Sequence, residues 1–242
     1  MKHLILVGAC YLDTVLSVPW YPEEDSKLRA TSIRTRRGGN CPNALEVIQQ
    51  LLLPEDGVKA YLVATLPSKT SPATSSIIAS FGDETSVSFQ HCLYRQNHTE
   101  AASCYIIRSL ESGSRTIVNH NDLPEMTTSE FEYIARSFSP DQQTWWHFEV
   151  TSHIPEGCPG TAQTRSGSYG HTLRRLLPDS KISVEIEKPG RDGLTDLASA
   201  ADVVFYSRTW AEVQSSPRPG SNMHEADVLH RRAAVTHLPK IA

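Results

Sequence analysis

The stretch Arg34–Pro54, RTRRGGNCPNALEVIQQLLLP, places Gly38, Gly39, Asn40 and Asn43 at the mouth of an apolar pattern of helical period. Adjacent glycines let the main chain approach a ligand closely, and the start of a helix leaves backbone N–H groups free. Asparagine amides both donate and accept. A ligand rich in hydroxyls suits that chemistry. A plainer reading of the same residues is a tight turn at Gly38–Gly39 with Asn40 capping the helix. Two carboxylates extend the set. Asp13 stands just past the end of an expected first strand, where open α/β sheets place their sites, and Asp25 lies in YPEEDSKLRA. An isolated Asp after a strand also serves as a turn residue.

Other reactive side chains have weaker patterns. Cys41 follows the glycine turn at a helix N-terminus, a position that can lower a thiol pKa but more commonly holds a small packing residue. His147, Glu149 and Cys158 faintly resemble a zinc-deaminase spacing, yet no second cysteine follows Cys158 at the required distance, which argues against zinc. His224, His230 and His237 fall in a polar tail without fixed ligand spacing, and Trp145 and Trp146 read as packing residues of a strand.

The elements that must position the Asp, Gly and Asn set alternate along the chain. HLILVGA is a continuous apolar run, the pattern of a strand buried on both faces, and YLDTVLSV is a second extended piece. From Asn40 the spacing of Ala44, Val47, Ile48, Leu51 and Leu52 predicts a helix that Pro54 ends. VKAYLVATL predicts one strand, and SPATSSIIASFG a short helix capped by Ser71 and closed by Gly82. Three extended stretches then interrupt the alternation: SVSFQHCLY, AASCYIIRSL and SRTIVNH, the last two joined as a hairpin by ESGS. Helices are expected over TTSEFEYIARSF, TAQTRSGSYGHTLRRLL and GLTDLASA, and strands over TWWHFEV, KISVEIE and DVVFYS. The order predicts a mostly parallel, three-layer α/β core with the hairpins as an inserted sheet.

Composition sets outer bounds. The 242 residues suffice for one full-sized domain with a small appendage, and an apolar fraction of 39% with 13 Gly and 15 Pro reads as globular and turn-rich. A net charge of -4, from 23 basic and 27 acidic residues without a long basic run, argues against a nucleic-acid partner. Five cysteines without a C-x-x-C pair suggest a reducing, cytoplasmic home. The N-terminal apolar run meets Asp13 too early for a signal peptide and is too short for a bilayer, so no membrane partner is expected.

The segment GACYLDTVLSVPWYPEEDSKLRATSIRTRRGGNCPNALEV resembles the first signature of the ribokinase-like (PfkB) carbohydrate kinases, in particular their ketohexokinase (fructokinase) branch. The likeness continues through SCYIIRSLESGSRTIVNHNDLPEMTTSEFE, WWHFEV and ISVEIEKPGRDGL to ADVVFYSRTWAE, covering about Leu4 to Val213. It implies a ribokinase-like α/β/α core and ATP-dependent phosphorylation, with magnesium, of a hydroxyl on a ketose such as fructose. It also implies that Asp13, Gly39, Asn40 and Asn43 grip the sugar hydroxyls and that Asp25 adds a contact from a β-sheet lid formed by about 12–36 and 101–118. Arg115 is similar to the arginine that reaches the nucleotide phosphates, and Lys188 sits where relatives line the ATP side. A homodimer joined through the lid is a further implication.

One departure bears on turnover. The family's second signature is a Gly-Ala-Gly-Asp segment opening a late helix. There it supplies an anion-binding helix start and the aspartate that takes the proton from the attacking hydroxyl. These 242 residues contain no such segment, so no catalytic residue is assigned, and 214–242 is expected to be a divergent, irregular tail. The expectations are therefore two: a ketohexokinase-like sugar kinase, or a truncated, inactive remnant that binds sugar or dimerises through its lid.

Overall fold

The computed structural model describes residues 1–149, 162–186, 194–208 and 210. In chain order its first elements are β1 (Lys2–Val7), β2 (Tyr11–Val18), β3 (Ser32–Gly38), α1 (Asn40–Leu51), β4 (Val58–Val63), β5 (Thr65–Pro67), α2 (Pro72–Ala79) and β6 (Leu93–Arg95). There follow β7 (Ser103–Ser109), β8 (Arg115–His120), α3 (Thr128–Ala135), β9 (Gln143–Glu149), α4 (Ala162–Leu176), β10 (Lys181–Ile186), α5 (Leu194–Ala200) and β11 (Val203–Tyr206). Two compact units divide the chain. The first comprises Met1–Gly8, Leu53–Tyr61 and Met126–Ala242; the second comprises Ala9–Leu52 and Leu62–Glu125.

The first unit is built on a five-stranded sheet ordered β11-β10-β9-β1-β4, in which β1–β9, β9–β10 and β10–β11 are parallel. Strands covered on both faces need apolar residues on both. Accordingly Ile5, Leu6 and Val7 of β1 and Ile182, Val184 and Ile186 of β10 are all buried. Helix α3 begins with a reciprocal cap: Glu130 N donates to Thr127 Oγ1 and Thr127 N donates to Glu130 Oε2. Its Phe131 stacks on Tyr169 of α4 at 4.4 Å and meets Trp146 of β9 edge-on at 5.6 Å. Trp146 is therefore core, as expected, whereas Trp145 on the other face of β9 is 41% exposed.

The second unit carries a separate four-stranded sheet ordered β3-β2-β7-β8, with β2–β3 and β7–β8 antiparallel and β2–β7 parallel. AASCYIIRSL and SRTIVNH form the β7–β8 hairpin of this sheet, turning near Gly113 at φ 67°. Pro72 opens α2 and Ser71 Oγ accepts from Ala73 N at 3.1 Å, the cap read from the sequence. Helix α1 gives way at Leu52, which is extended at ψ 129°, two residues before Pro54.

Two extended segments differ from expectation. Val58–Leu66 is not one strand but two, because β4 belongs to the five-stranded sheet while β5 pairs with β6. Hydrophobic periodicity cannot mark a change of partner inside one apolar run. Ser86–Tyr94 is mostly irregular, its backbone joining β4 where Leu62 N donates to Ser88 O. Cys92 N closes a turn onto Phe89 O at 3.1 Å, and the Phe89 ring packs on Phe81 at 5.1 Å, so only Leu93–Arg95 enters a strand. Among the described residues, no helix is long and apolar enough to cross a membrane.

Candidate functional site

The second unit brings the Asp, Gly and Asn set to the corner between β3 and α1. Strand β2 lies inside the four-stranded sheet, and Asp13 faces Arg36 of β3 on one side and Cys104 of β7 on the other. Its carboxylate is buried, at 7% exposure, and lies against the main chain of Gly38: a β-carbon there would stand 2.8 Å from Asp13 Cγ. Glycine at 38 thus makes room for the carboxylate. Asp13 Oδ1 has no hydrogen-bond partner among the described residues. Burial raises the Asp13 pKa above its ordinary 3.8, opposed by a hydrogen bond from the Cys104 thiol and by the charge of Arg36.

Gly39 is required at the next position for two reasons. Its φ is 102°, and the Ala9 carbonyl oxygen occupies the place where a side chain would begin. The turn it makes delivers Asn40 as the first residue of α1, and Asn43 N donates to Gly39 O at 3.1 Å. Asn40 and Asn43 are both exposed, one helical turn apart on one face. A buried carboxylate thus lies against the turn from which α1 starts, and two exposed asparagine amides, groups that can both donate to and accept from hydroxyls, stand on the first turn of that helix.

The remaining candidates lie elsewhere. Asp25 occupies an exposed turn in the β2–β3 connection at φ 57°, next to Ser26, whose N and Oγ both donate to Glu23 O. Arg115 opens β8, exposed and in register with Arg108 of β7, so two guanidinium groups lie across one antiparallel pair. Lys188, Cys158 and the tail histidines fall outside the described residues. Cys41 is fully buried, which makes it the packing residue of the plainer reading. His147 Nδ1 and Trp145 Nε1 both share hydrogen bonds with Ser183 Oγ, at 2.9 and 2.8 Å. Burial lowers the His147 pKa to about 4.

Sequence reading missed Arg37. Its guanidinium is buried and donates to Ser80 Oγ, Asn43 Oδ1 and Glu46. Inside RTRR it resembles three surface neighbours. The available signal is positional: on β3, Arg37 takes the face opposite to Arg34 and Arg36.

No family model matches the chain. It is 29% identical over 213 residues to ketohexokinase of Mus musculus, an alignment covering 87% of this chain and 65% of that protein. The chain thus spans a little under two thirds of the length of that curated relative. Among solved structures it is similar to Arabidopsis thaliana ribokinase, complexed with ribose and ATP, with a TM-score of 0.67 at 14% identity, covering 96% of this chain and 70% of that one. It is also similar to the nucleoside kinase of Methanocaldococcus jannaschii, an archaeal member of the ribokinase family, with a TM-score of 0.64 at 14% identity, covering 96% and 68%.

Proposed function

Starting from a chain with the ribokinase-like fold of carbohydrate kinases and sequence kinship to ketohexokinase, we propose that it binds a ketose such as fructose and presents a hydroxyl for phosphorylation by ATP. The observation that carries this reading is the corner where buried Asp13 meets Gly38, Gly39, Asn40 and Asn43. An ionised Asp13 accepts from one sugar hydroxyl, the asparagine amides engage its neighbours, and the ring is held in one orientation. Asp25, on its exposed turn, adds a contact from the β2–β3 side, and the four-stranded sheet acts as the lid.

ATP is the phosphoryl donor in this reading. Arg115, paired across the strands with Arg108, offers a fork of donors to phosphate oxygens, and Lys188 adds a charge on the nucleotide side. Magnesium is proposed to arrive as the metal complex of the nucleotide, the way this ion is commonly held against phosphate oxygens. The base and anion-binding helix that the resemblance assigns to Gly-Ala-Gly-Asp are not in these 242 residues. The chain is therefore read as the sugar-gripping part of the kinase. A second reading, sugar binding without turnover, rests on that same missing segment.

Protomers pair through the lid in this proposal. Its support is the sheet face opposite Asp13, where Ile33, Tyr105 and Val118 are 67%, 53% and 61% exposed. A cytoplasmic location fits the four free cysteines among the described residues.

The test is a fructose titration by calorimetry together with a coupled ADP-release assay. The 242-residue chain is compared with the same chain extended after Val213 by a segment bearing Gly-Ala-Gly-Asp. Binding by both, with turnover only in the extended form, is expected. Turnover by the unextended chain would put the missing base among the present residues, and no binding by either would remove the ketose reading.

A further inference from the structure

Side chains alternate between the two faces of the four-stranded sheet, and directly paired residues share a face. Register therefore puts Arg34 and Arg36 of β3, Arg108 of β7 and Arg115 of β8 on the face that Asp13 occupies. All four arginines are exposed, and none forms an ion pair among the described residues. No other Asp or Glu stands in the four strands. The opposite face carries one arginine, Arg37, which is buried and held by Ser80, Asn43 and Glu46.

Guarding a sheet edge does not require this asymmetry. Arginines placed for that purpose belong on the edge strands, whereas Arg108 stands on the inner strand β7. A face with four unpaired guanidinium groups and one buried carboxylate is instead the complement of an anion that also carries hydroxyls. The β3 pair lies nearest to Asp13 in register. Arg36 is directly opposite Asp13, and Arg34 is its diagonal neighbour, at about 7–8 Å between α-carbons and within reach of a long side chain.

We propose that Arg34 and Arg36 form an anion subsite beside Asp13, and that the ketose held there is a phosphorylated one, with a hydroxyl at the buried carboxylate and its phosphate on the β3 guanidinium groups. A phosphomonoester carries a charge of about -1.5 to -2 at neutral pH, and two guanidinium forks match its oxygens. A free ketose leaves both arginines to water, and a bare phosphate meets the like charge of Asp13, so the pairing selects ligands that have both ends. Arg108 and Arg115, two and three strands away from β3, remain with the nucleotide phosphates. This deepens the ketose reading and rests on it for the claim that Asp13 touches ligand.

The experiment is calorimetry with fructose, fructose 1-phosphate, fructose 6-phosphate and inorganic phosphate at low and high salt. It is run on the 242-residue chain, on Arg34→Gln, on Arg34→Lys and on Arg34→Gln combined with Arg36→Gln, with thermal unfolding to confirm that each variant folds. At low salt one fructose monophosphate should bind about tenfold or more tighter than fructose, and the preference should shrink as salt rises. Arg34→Gln should cut the preference several-fold, Arg34→Lys should restore part of it, and the double variant should bring it to about one.

Fructose bound without preference for either monophosphate, or a preference that survives both substitutions, would overturn the subsite while the ketose reading stands. Should no sugar bind, the ketose reading fails and the phosphorylated ketose with it. Inorganic phosphate then decides the subsite by itself: uptake lost in the double variant upholds it, and no uptake, or uptake indifferent to the substitutions, overturns it.

Discussion

The carboxylate of Asp13 occupies the space that a side chain at residue 38 would fill, with Cγ and Oδ1 each 2.8 Å from the position of a β-carbon there. The two residues stand on neighbouring antiparallel strands, where Gly38 pairs with Tyr11 and Asp13 pairs with Arg36. Gly38→Ala should therefore displace the carboxylate. We expect a stability loss of about 1–3 kcal/mol from overpacking and a fall in fructose affinity of at least tenfold. Calorimetry and denaturant unfolding check this; an alanine variant that binds and folds as wild type would show that Asp13 is not held in place by Gly38.

Asp13 should also leave a mark on the pH dependence of stability. Its pKa is raised by burial, so the protonated form fits the fold better than the ionised form. The stabilising contribution is full below the ordinary value of 3.8 and is lost as pH rises through the raised folded value. Asp13→Asn, neutral throughout, is expected to melt higher than wild type at neutral pH, with the gap closing in acid, and to lose roughly 10–100-fold in fructose affinity. A gap independent of pH would mean that Asp13 does not titrate with folding.

His147 has the opposite sign. With its pKa depressed by burial from 6.5 to about 4, the protonated ring is disfavoured in the fold. Stability should fall as pH drops from 6.5 towards 4, by on the order of 3 kcal/mol at the lower end if this group acts alone. His147→Gln should flatten that slope in thermal unfolding between those limits. An unchanged slope would assign the acid sensitivity to other groups.

The exposed sheet face offers a test of association. Ile33 pairs with Leu16, and Tyr105 with Val118, so Ile33, Tyr105 and Val118 lie on the face that alternates away from Asp13. Replacing Ile33 and Tyr105 by Glu removes apolar surface without opening the core, since both are more than half exposed. Light scattering on wild type should report a dimer and on the double variant a monomer of unchanged melting temperature. A monomeric wild type would end the lid-pairing proposal.

How much of this was readable beforehand depended on whether the signal was local. The glycine turn, the helix that follows it and the Ser71 cap are written in contiguous residues and formed as read, except that Gly39 and not Asn40 is the N-cap of α1, with no side-chain cap bond. Strand pairing is not local. Nothing in SVSFQHCLY distinguishes a strand from turns held by the Phe81–Phe89 contact, and nothing in VKAYLVATL marks the transfer to a new partner after Val63. Arg37 was hidden for the same reason. Its burial comes from Ser80 and Phe81, over forty residues away, and a basic residue in a basic run gives no hint of them.

The parallel pairing of β2 with β7 sets Asp13 beside Cys104, roughly ninety residues later in the chain. During synthesis, the Gly39 turn and α1 can form as soon as they leave the ribosome, whereas Asp13 waits with an open strand edge until β7 has been made. The native surroundings of the carboxylate are therefore complete only once chain made roughly ninety residues after Asp13 is available. A nascent chain released before Ser109 would carry its glycine turn without the sheet partner of Asp13, leaving β2 as an edge open to other chains.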